Sequence, residues 1–243
     1  MNWARSWWWP SRPARVPRAW TAGLLAGLGA LLFGVSALLI TTGAVSWDAS
    51  LFRILNEVPA AATSVLTPLS HLFLPAGIVV VVLLAVVYVM ARNRSVLPVV
   101  AGAVAAATAW VLAHVAKAIA DRPRPPEVIA DAVLRQQPAH GTSFPSSHTA
   151  VTLAVAIALV PFLARLLAAA GIAYAVLVGW SRVYLGVHYP VDVLGGAGIG
   201  MAAGGVILLA LVALLRRARP VANGANGAAD PGSGPGPEHR GEP

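Results

Sequence analysis

Cysteine is absent from the 243-residue chain, lysine occurs once, and Asp and Glu together number nine. Without thiols there is no disulfide, no zinc–thiolate site and no cysteine nucleophile. Charged residues make up 11% of the chain against 58% hydrophobic, and the mean hydropathy is +0.74. A soluble domain of this size has too much surface for its volume to hide that much apolar material, so the composition points to a membrane protein. The scarcity of acid leaves a net charge of +8. Nucleic-acid binding would need those cations gathered on one stripe of a soluble fold. They are instead scattered at the ends of apolar segments and in one loop, so no nucleic-acid partner is expected. That distribution fits the positive-inside rule and contact with anionic headgroups.

About 20 apolar residues cross a bilayer core. The first such run is Thr21–Ser46, preceded by Arg5, Arg12, Arg15 and Arg18 with Trp7, Trp8 and Trp9 as interfacial anchors. It is too long for a signal-peptide core, and an uncleaved helix is expected. Residues Trp47–His71 carry Asp48, Arg53, Glu57 and two prolines, which is too polar to span, so a short interfacial helix is expected there. Further spans are read at Leu72–Ala91, Val96–Ala120, Pro145–Ala169, Gly171–Tyr184 and Pro190–Leu215, with a polar loop at Asp121–Phe144. The fold class that follows is all-α: a six-transmembrane-helix bundle with a short interfacial helix and an extracytoplasmic active-site loop. It divides into a basic, aromatic N-terminal segment (1–20), the membrane domain (21–215) and a Gly/Pro-rich tail (216–243) that cannot bury a core. Six spans put both termini on one side. Arg92, Arg94, Arg165 and Arg216–Arg219 fall on that same side, which makes it cytoplasmic in a cell membrane.

Charge at a membrane helix is costly, so each instance is a functional candidate. Three clusters fall at the outer ends of the expected spans. Lys117 precedes Asp121-Arg122-Pro123-Arg124-Pro125, where the prolines stiffen the exit that carries Arg122 and Arg124. Phe144-Pro145-Ser146-Ser147-His148 opens a helix whose free N–H groups suit an anion. Ser181-Arg182 is followed by His188 and, four residues on, Asp192. A carboxylate bound to one imidazole nitrogen fixes the tautomer and leaves the other lone pair free to attack. Taken singly, each cluster has an ordinary structural explanation: a snorkelling lysine, a helix cap, an interfacial histidine.

In combination they resemble the three-part signature of the type 2 phosphatidic acid phosphatase superfamily. Lys117, Arg124 and Pro125 match its first part; Pro145, Ser146 and His148 its second; Ser181, Arg182, His188 and Asp192 its third. One position departs: Ser147 stands where the family has Gly, adding a hydroxyl at the cost of the closest backbone approach. The resemblance implies that His188 attacks phosphorus, that Asp192 stabilises its imidazolium, and that His148 is the general acid and base. It implies that Lys117, Arg124, Arg182, Ser146 and Ser147 hold the phosphate oxygens. No metal or other cofactor is expected, because the acids beyond Asp192 near the basic loop (Asp121, Glu127 and Asp131) are scattered. The expected partners are the bilayer and a lipid phosphate: a polyprenyl pyrophosphate, phosphatidate or phosphatidylglycerol phosphate. A lipid phosphotransferase, a hydrolase of a soluble phosphate ester and a non-catalytic transporter or scaffold are the alternatives.

Other features are read structurally. His114 is expected to be buried and hydrogen-bonded, and His140 to be a loop residue. Residues 126–139 could form a lid. Gly196, Gly200 and Gly204 form a small-residue repeat, read first as packing within the bundle and second as a homodimer face. The orientation is directly testable. A cysteine introduced near Val128 should react with an impermeant thiol reagent in intact cells and one near Asn93 should not; the reverse labelling overturns the topology.

Overall fold

The computed structural model describes residues 8, 10, 14, 17–136 and 141–217. Most of the N-terminal segment, positions 137–140 with His140, and the tail from 218 onward lie outside the described residues. Regular structure among the described residues is helical. Among the described residues, five helices are long and apolar enough to cross a membrane: α1 (Ala19–Thr41), α4 (Pro75–Asn93), α5 (Leu97–Ala120), α8 (Arg165–Tyr184) and α9 (Pro190–Arg217). Helices α2 (Ser46–Asn56), α3 (Ala60–Ser70) and α6 (Pro125–Val128) are short, and α7 (Ser147–Leu159) is apolar but only 13 residues long. Proline opens α4 and α9 and sits in the first turn of α5, where its missing N–H costs nothing.

The expected fourth and fifth spans are corrected. Helix α7 passes into a 3₁₀ turn (Val160–Phe162) and stops there, not at Ala169. Pro161 supplies no N–H and its ring opposes the carbonyl four residues back, so the α-helix cannot continue. Together α7 and this turn rise roughly 25 Å, short of the ~30 Å hydrocarbon core. Helix α8 starts at Arg165 instead of Gly171 and is a full 20 residues. The expected single interfacial helix is also two helices, α2 and α3, and α2 is no bystander. Asp48, Phe52 and Asn56, spaced four apart on one face, are all buried.

Lipid tails are as apolar as leucine, so helix pairing relies on close packing of small side chains. Ala105, Ala109 and Ala113 of α5 meet Ala150, Ala154 and Ala158 of α7 and Ala203 of α9. Helix α9 is the most buried of the five long helices and packs on α1 along one side and α7 along another. Gly196, Gly200 and Gly204 face α7: a Cβ at Gly200 would stand 2.7 Å from the Ala150 carbonyl oxygen, and one at Gly204 3.0 Å from that of Ala154. The repeat is therefore used inside the chain. Gly198 and Gly205 face α1 in the same way. This packing sets the start of α7 beside the start of α9, where the Ser146 N–H donates to the Asp192 carbonyl at 2.9 Å.

Asn93 is buried, its amide donating to the carbonyls of Val89 (2.9 Å) and Phe162 (3.4 Å), so exposed Arg92 is the informative labelling position at that turn. Gly200→Val should lower thermal stability in detergent by about 1–3 kcal/mol, the usual penalty of overpacking against atoms that cannot yield. Gly23→Ala, in open space, should be neutral or stabilising; equal effects of the two would refute the packing role.

Candidate active site

The chain leaves α8 through a tight turn in which Gly186 (φ 80°) supplies the left-handed conformation. The amides of Val187 and His188 donate back to the Arg182 carbonyl at 3.2 and 3.3 Å. Two residues further on, α9 begins. Asp192, in its first turn, is fully buried, and both of its oxygens are engaged. Oδ2 accepts from the Tyr189 N–H at 2.8 Å and stands 3.5 Å from His188 Nδ1. Oδ1 accepts from Arg122 Nη1 at 2.7 Å. The His188–Asp192 separation is too long for a good hydrogen bond, and Nδ1 finds no other partner among the described residues. Such contacts commonly tighten only when substrate is bound.

His188 forms one wall of a cavity of about 820 Å³. Lys117, Arg124, Ser147, His148 and Arg182 join it there. Lys117 Nζ donates to the carbonyls of Thr142 (2.8 Å) and Ser143 (3.0 Å). Arg124 donates through Nε to Gly141 O and through Nη1 to Val187 O, both at 2.9 Å. Arg182 Nη2 donates to Gln136 Oε1 at 2.6 Å, so the segment expected as a lid does reach the site. Arg182 Nε and Ser147 Oγ, both buried, have no hydrogen-bond partner among the described residues. Both are therefore polar atoms not already committed within the described residues.

Not every expected residue arrives. Ser146 is fully buried and absent from the cavity wall; its hydroxyl accepts from Thr149 Oγ1 at 3.1 Å, because as the residue before α7 it turns into the helix packing. Asp192 stands behind His188, not on the wall. His114 is not buried: it is exposed at the cavity edge, its ring tilted 35° against that of Trp110 with centroids 4.0 Å apart and its Nδ1 2.8 Å from the Trp110 carbonyl oxygen.

Two charged residues with no assigned role join the site from behind. Arg122 Nη2 donates to Asp48 Oδ2 at 2.7 Å, while Asp48 Oδ1 accepts from the Val191 N–H at 3.0 Å. Asn56, two turns along α2, donates to the carbonyls of Val133 and Tyr184, both at 3.0 Å, and ties the chain at Val133 to the end of α8. The only sequence signal for these roles was the 48–52–56 spacing in a segment otherwise too polar to span.

Comparison with known proteins matches residues 98–216 to the PAP2 superfamily model. The chain is 34% identical over 158 residues to YbjG of Escherichia coli, spanning 63% of this chain and 76% of YbjG. The chain belongs to the PAP2 superfamily. It is also 42% identical over 62 residues to undecaprenyl-diphosphatase BcrC of Bacillus subtilis, a match covering 26% of this chain and 32% of BcrC. The structure superposes on a PAP2-type phosphatidylglycerolphosphate phosphatase from Bacillus subtilis with TM-score 0.58 and 26% identity, covering 78% of this chain and 94% of that one. Its apolar helices and membrane relatives make it a membrane protein.

Within the PAP2 match fall Lys117, Arg124, His148, Arg182, His188 and Asp192; Asp48 and all of α2 precede it. The Ser147 hydroxyl is one of three buried side-chain atoms at the cavity without a hydrogen-bond partner among the described residues, beside Arg182 Nε and His188 Nδ1. Burial pushes His188 down to about 4, against the upward pull of Asp192, so its imidazole is neutral at pH 7. In the unfolded chain it would titrate near 6.5. The unfolded state therefore binds the proton first, and this histidine's contribution to stability is present above about pH 6.5 and lost as pH falls toward 4. The melting temperature in detergent should drop over that window more steeply for the wild type than for His188→Gln. Parallel curves would show that the histidine is not held neutral by burial.

Proposed function

We propose that the protein is an integral membrane phosphatase that hydrolyses a polyprenyl pyrophosphate, such as undecaprenyl pyrophosphate, through a phosphohistidine on His188. The observation that carries this reading is the cavity. Three cations, two histidines and the Ser147 hydroxyl surround one space, with a fully buried carboxylate behind one of the histidines. That arrangement suits a tetrahedral oxyanion, and phosphoryl transfer is catalysed mainly by positioning and charge stabilisation.

The substrate class draws on two supports. Ile78, Val79, Trp110 and Val151 give the same cavity an apolar flank, and a second, apolar cavity of about 250 Å³ continues past the shared Thr152 between α4, α7 and α8. A lipid chain would suit both. The name of BcrC favours a diphosphate, while the likeness to the phosphatidylglycerolphosphate phosphatase supplies the competing substrate for the test. The arginine distribution supports six spans, α7 being the short one. It also supports termini in the cytoplasm and a site loop facing outward from the cell membrane.

In the reaction, the His188 Nε2 lone pair attacks the terminal phosphorus as the bridging P–O bond breaks, and His148 gives its proton to the departing lipid phosphate. His148 then takes a proton from water, whose oxygen attacks phosphorus, breaks the N–P bond and releases inorganic phosphate. Lys117, Arg124, Arg182, Ser147 and the first N–H groups of α7 hold the non-bridging oxygens, so no metal is required. Ser146 acts only by shaping this helix start.

Purified protein with excess EDTA should release phosphate from undecaprenyl pyrophosphate faster than from phosphatidylglycerol phosphate or phosphatidate. Rapid-quench trapping should find label on histidine. His188→Ala should abolish turnover and label; His148→Ala should lose about 10²- to 10⁴-fold, with labelling partly rescued by a nitrophenyl phosphate, whose leaving group needs little protonation. Activity that disappears with EDTA and returns with Mg²⁺ would refute the mechanism. Label found on His148 would reverse the two roles. Phosphate passed to an added lipid acceptor in preference to water would identify a phosphotransferase.

A further inference from the structure

Asp48 and Arg122 belong to no part of the PAP2 signature, and Asp48 lies fifty residues before the matched region begins. Neither lies on the cavity wall, so neither is placed to touch a phosphate. Both are nonetheless committed to the site. The Arg122 guanidinium bridges Asp192 Oδ1 and Asp48 Oδ2 at 2.7 Å each and lies 4.1 Å over the Tyr189 ring. The second oxygen of Asp48 caps the start of α9 through the Val191 N–H at 3.0 Å. Every side-chain oxygen of the two carboxylates is thereby within reach of a named donor.

We propose that Asp48 and Arg122 are positioning residues for the reaction, fixing the Asp192 carboxylate in orientation and in charge so that it can serve His188. The inference rests on the phosphohistidine reading above. The charges explain why a bridge is needed. Two carboxylates and one guanidinium leave a single net negative charge, and the neighbouring group that gains positive charge on phosphorylation is the His188 ring. Without Arg122, the two carboxylates would face each other as buried like charges, and one would take up a proton. A protonated Asp192 offers a donor where an acceptor for Nδ1–H is required. Geometry gives a second reason. Only a planar two-pronged cation can hold both carboxylates at once, and Asp48 is itself held by α2, whose Phe52 packs against Ile129, Val183 and Tyr189. The docking of α2 thus sets the angle at which Asp192 faces the histidine.

The test uses the full-length protein in detergent with undecaprenyl pyrophosphate. Asp48→Asn and Arg122→Gln should each lower kcat about 10- to 100-fold, the usual loss when a partner orienting a reactive histidine's support is removed, with KM within about threefold. In an Asp192→Asn background, Arg122→Gln should cost less than about a further threefold, because the group it serves is already impaired. Arg122→Lys keeps the charge and favours folding but cannot bridge both carboxylates, so it should show the same loss confined to kcat. Arg122→Lys therefore carries the test if the neutral variants do not yield a monodisperse protein. Wild-type kcat in Arg122→Lys, a change confined to KM, or a fully multiplicative loss in the Asp192→Asn background would overturn the inference. His188→Ala is the separating control: if that variant still turns over, the phosphohistidine reading is wrong, whereas a dead His188→Ala beside a fully active Arg122→Lys removes only this inference.

Discussion

A fully buried carboxylate at the start of a membrane helix is the constraint on which the site depends. In a low-dielectric setting an unpaired Asp192 would be neutralised, and a neutral acid cannot support a neighbouring imidazolium. The chain meets this with a closed network: Arg122 from the loop after α5, the Tyr189 N–H from the turn before α9, and Asp48 from α2 holding the arginine in turn. Breaking one member of such a buried network typically costs about 3–5 kcal/mol, because a charge is left stranded. Three segments far apart in sequence are therefore obliged to meet before His188 has a charged Asp192 beside it.

The helix packing that lets them meet has a different origin. Between apolar helices in lipid there is little hydrophobic preference for one face over another, so register is set by where backbones can approach closely. Glycines on two faces of α9 admit α1 and α7, and the alanine rows on α5 and α7 complete the contact. The consequence is chemical. With α7 held against α9, the free N–H groups and positive end of α7 open on the same space as His188. The Ser146 N–H to Asp192 carbonyl bond ties the two helix starts directly together.

The spans and the clustered site residues were legible in sequence for simple reasons. Hydropathy reports the long helices, and chemistry-bearing residues at helix starts keep short, readable spacings such as His188 and Asp192. Legibility fails where a partner is remote or a local stop signal sits inside a uniformly apolar run. Asp48 looks like one more polar residue in a non-spanning segment until Arg122, 74 positions later, is seen beside it. Pro161 should have ended α7, but a uniformly apolar stretch hid the stop. Ser146 and Ser147 are adjacent and alike, yet the helix geometry turns one into the packing and leaves the other's hydroxyl unpaired at the cavity. His114 failed in the opposite sense, since a histidine packed against Trp110 at a cavity edge gives the same sequence signal as a buried one.

The partners of the four cations at the site divide by charge, and that division fits the work each must do. Arg122 hydrogen-bonds two carboxylates, so its charge is spent in holding the machinery together. Lys117, Arg124 and Arg182 donate to uncharged acceptors: the carbonyls of Gly141, Thr142, Ser143 and Val187, and the amide oxygen of Gln136. A carbonyl dipole orients a cation without cancelling its charge. Lysine has three donors and arginine five, so each of these side chains is tethered with donors to spare. On the proposed reading, the cavity offers an incoming phosphate three cations fixed in direction and hydrogen-bonded only to uncharged acceptors, the kind of preorganisation that makes electrostatic stabilisation of a phosphoryl group effective. Had Asp48 or Asp192 paired with one of those three instead of Arg122, the network would be equally satisfied, and the cavity would have lost a positive charge where the proposed reaction uses it.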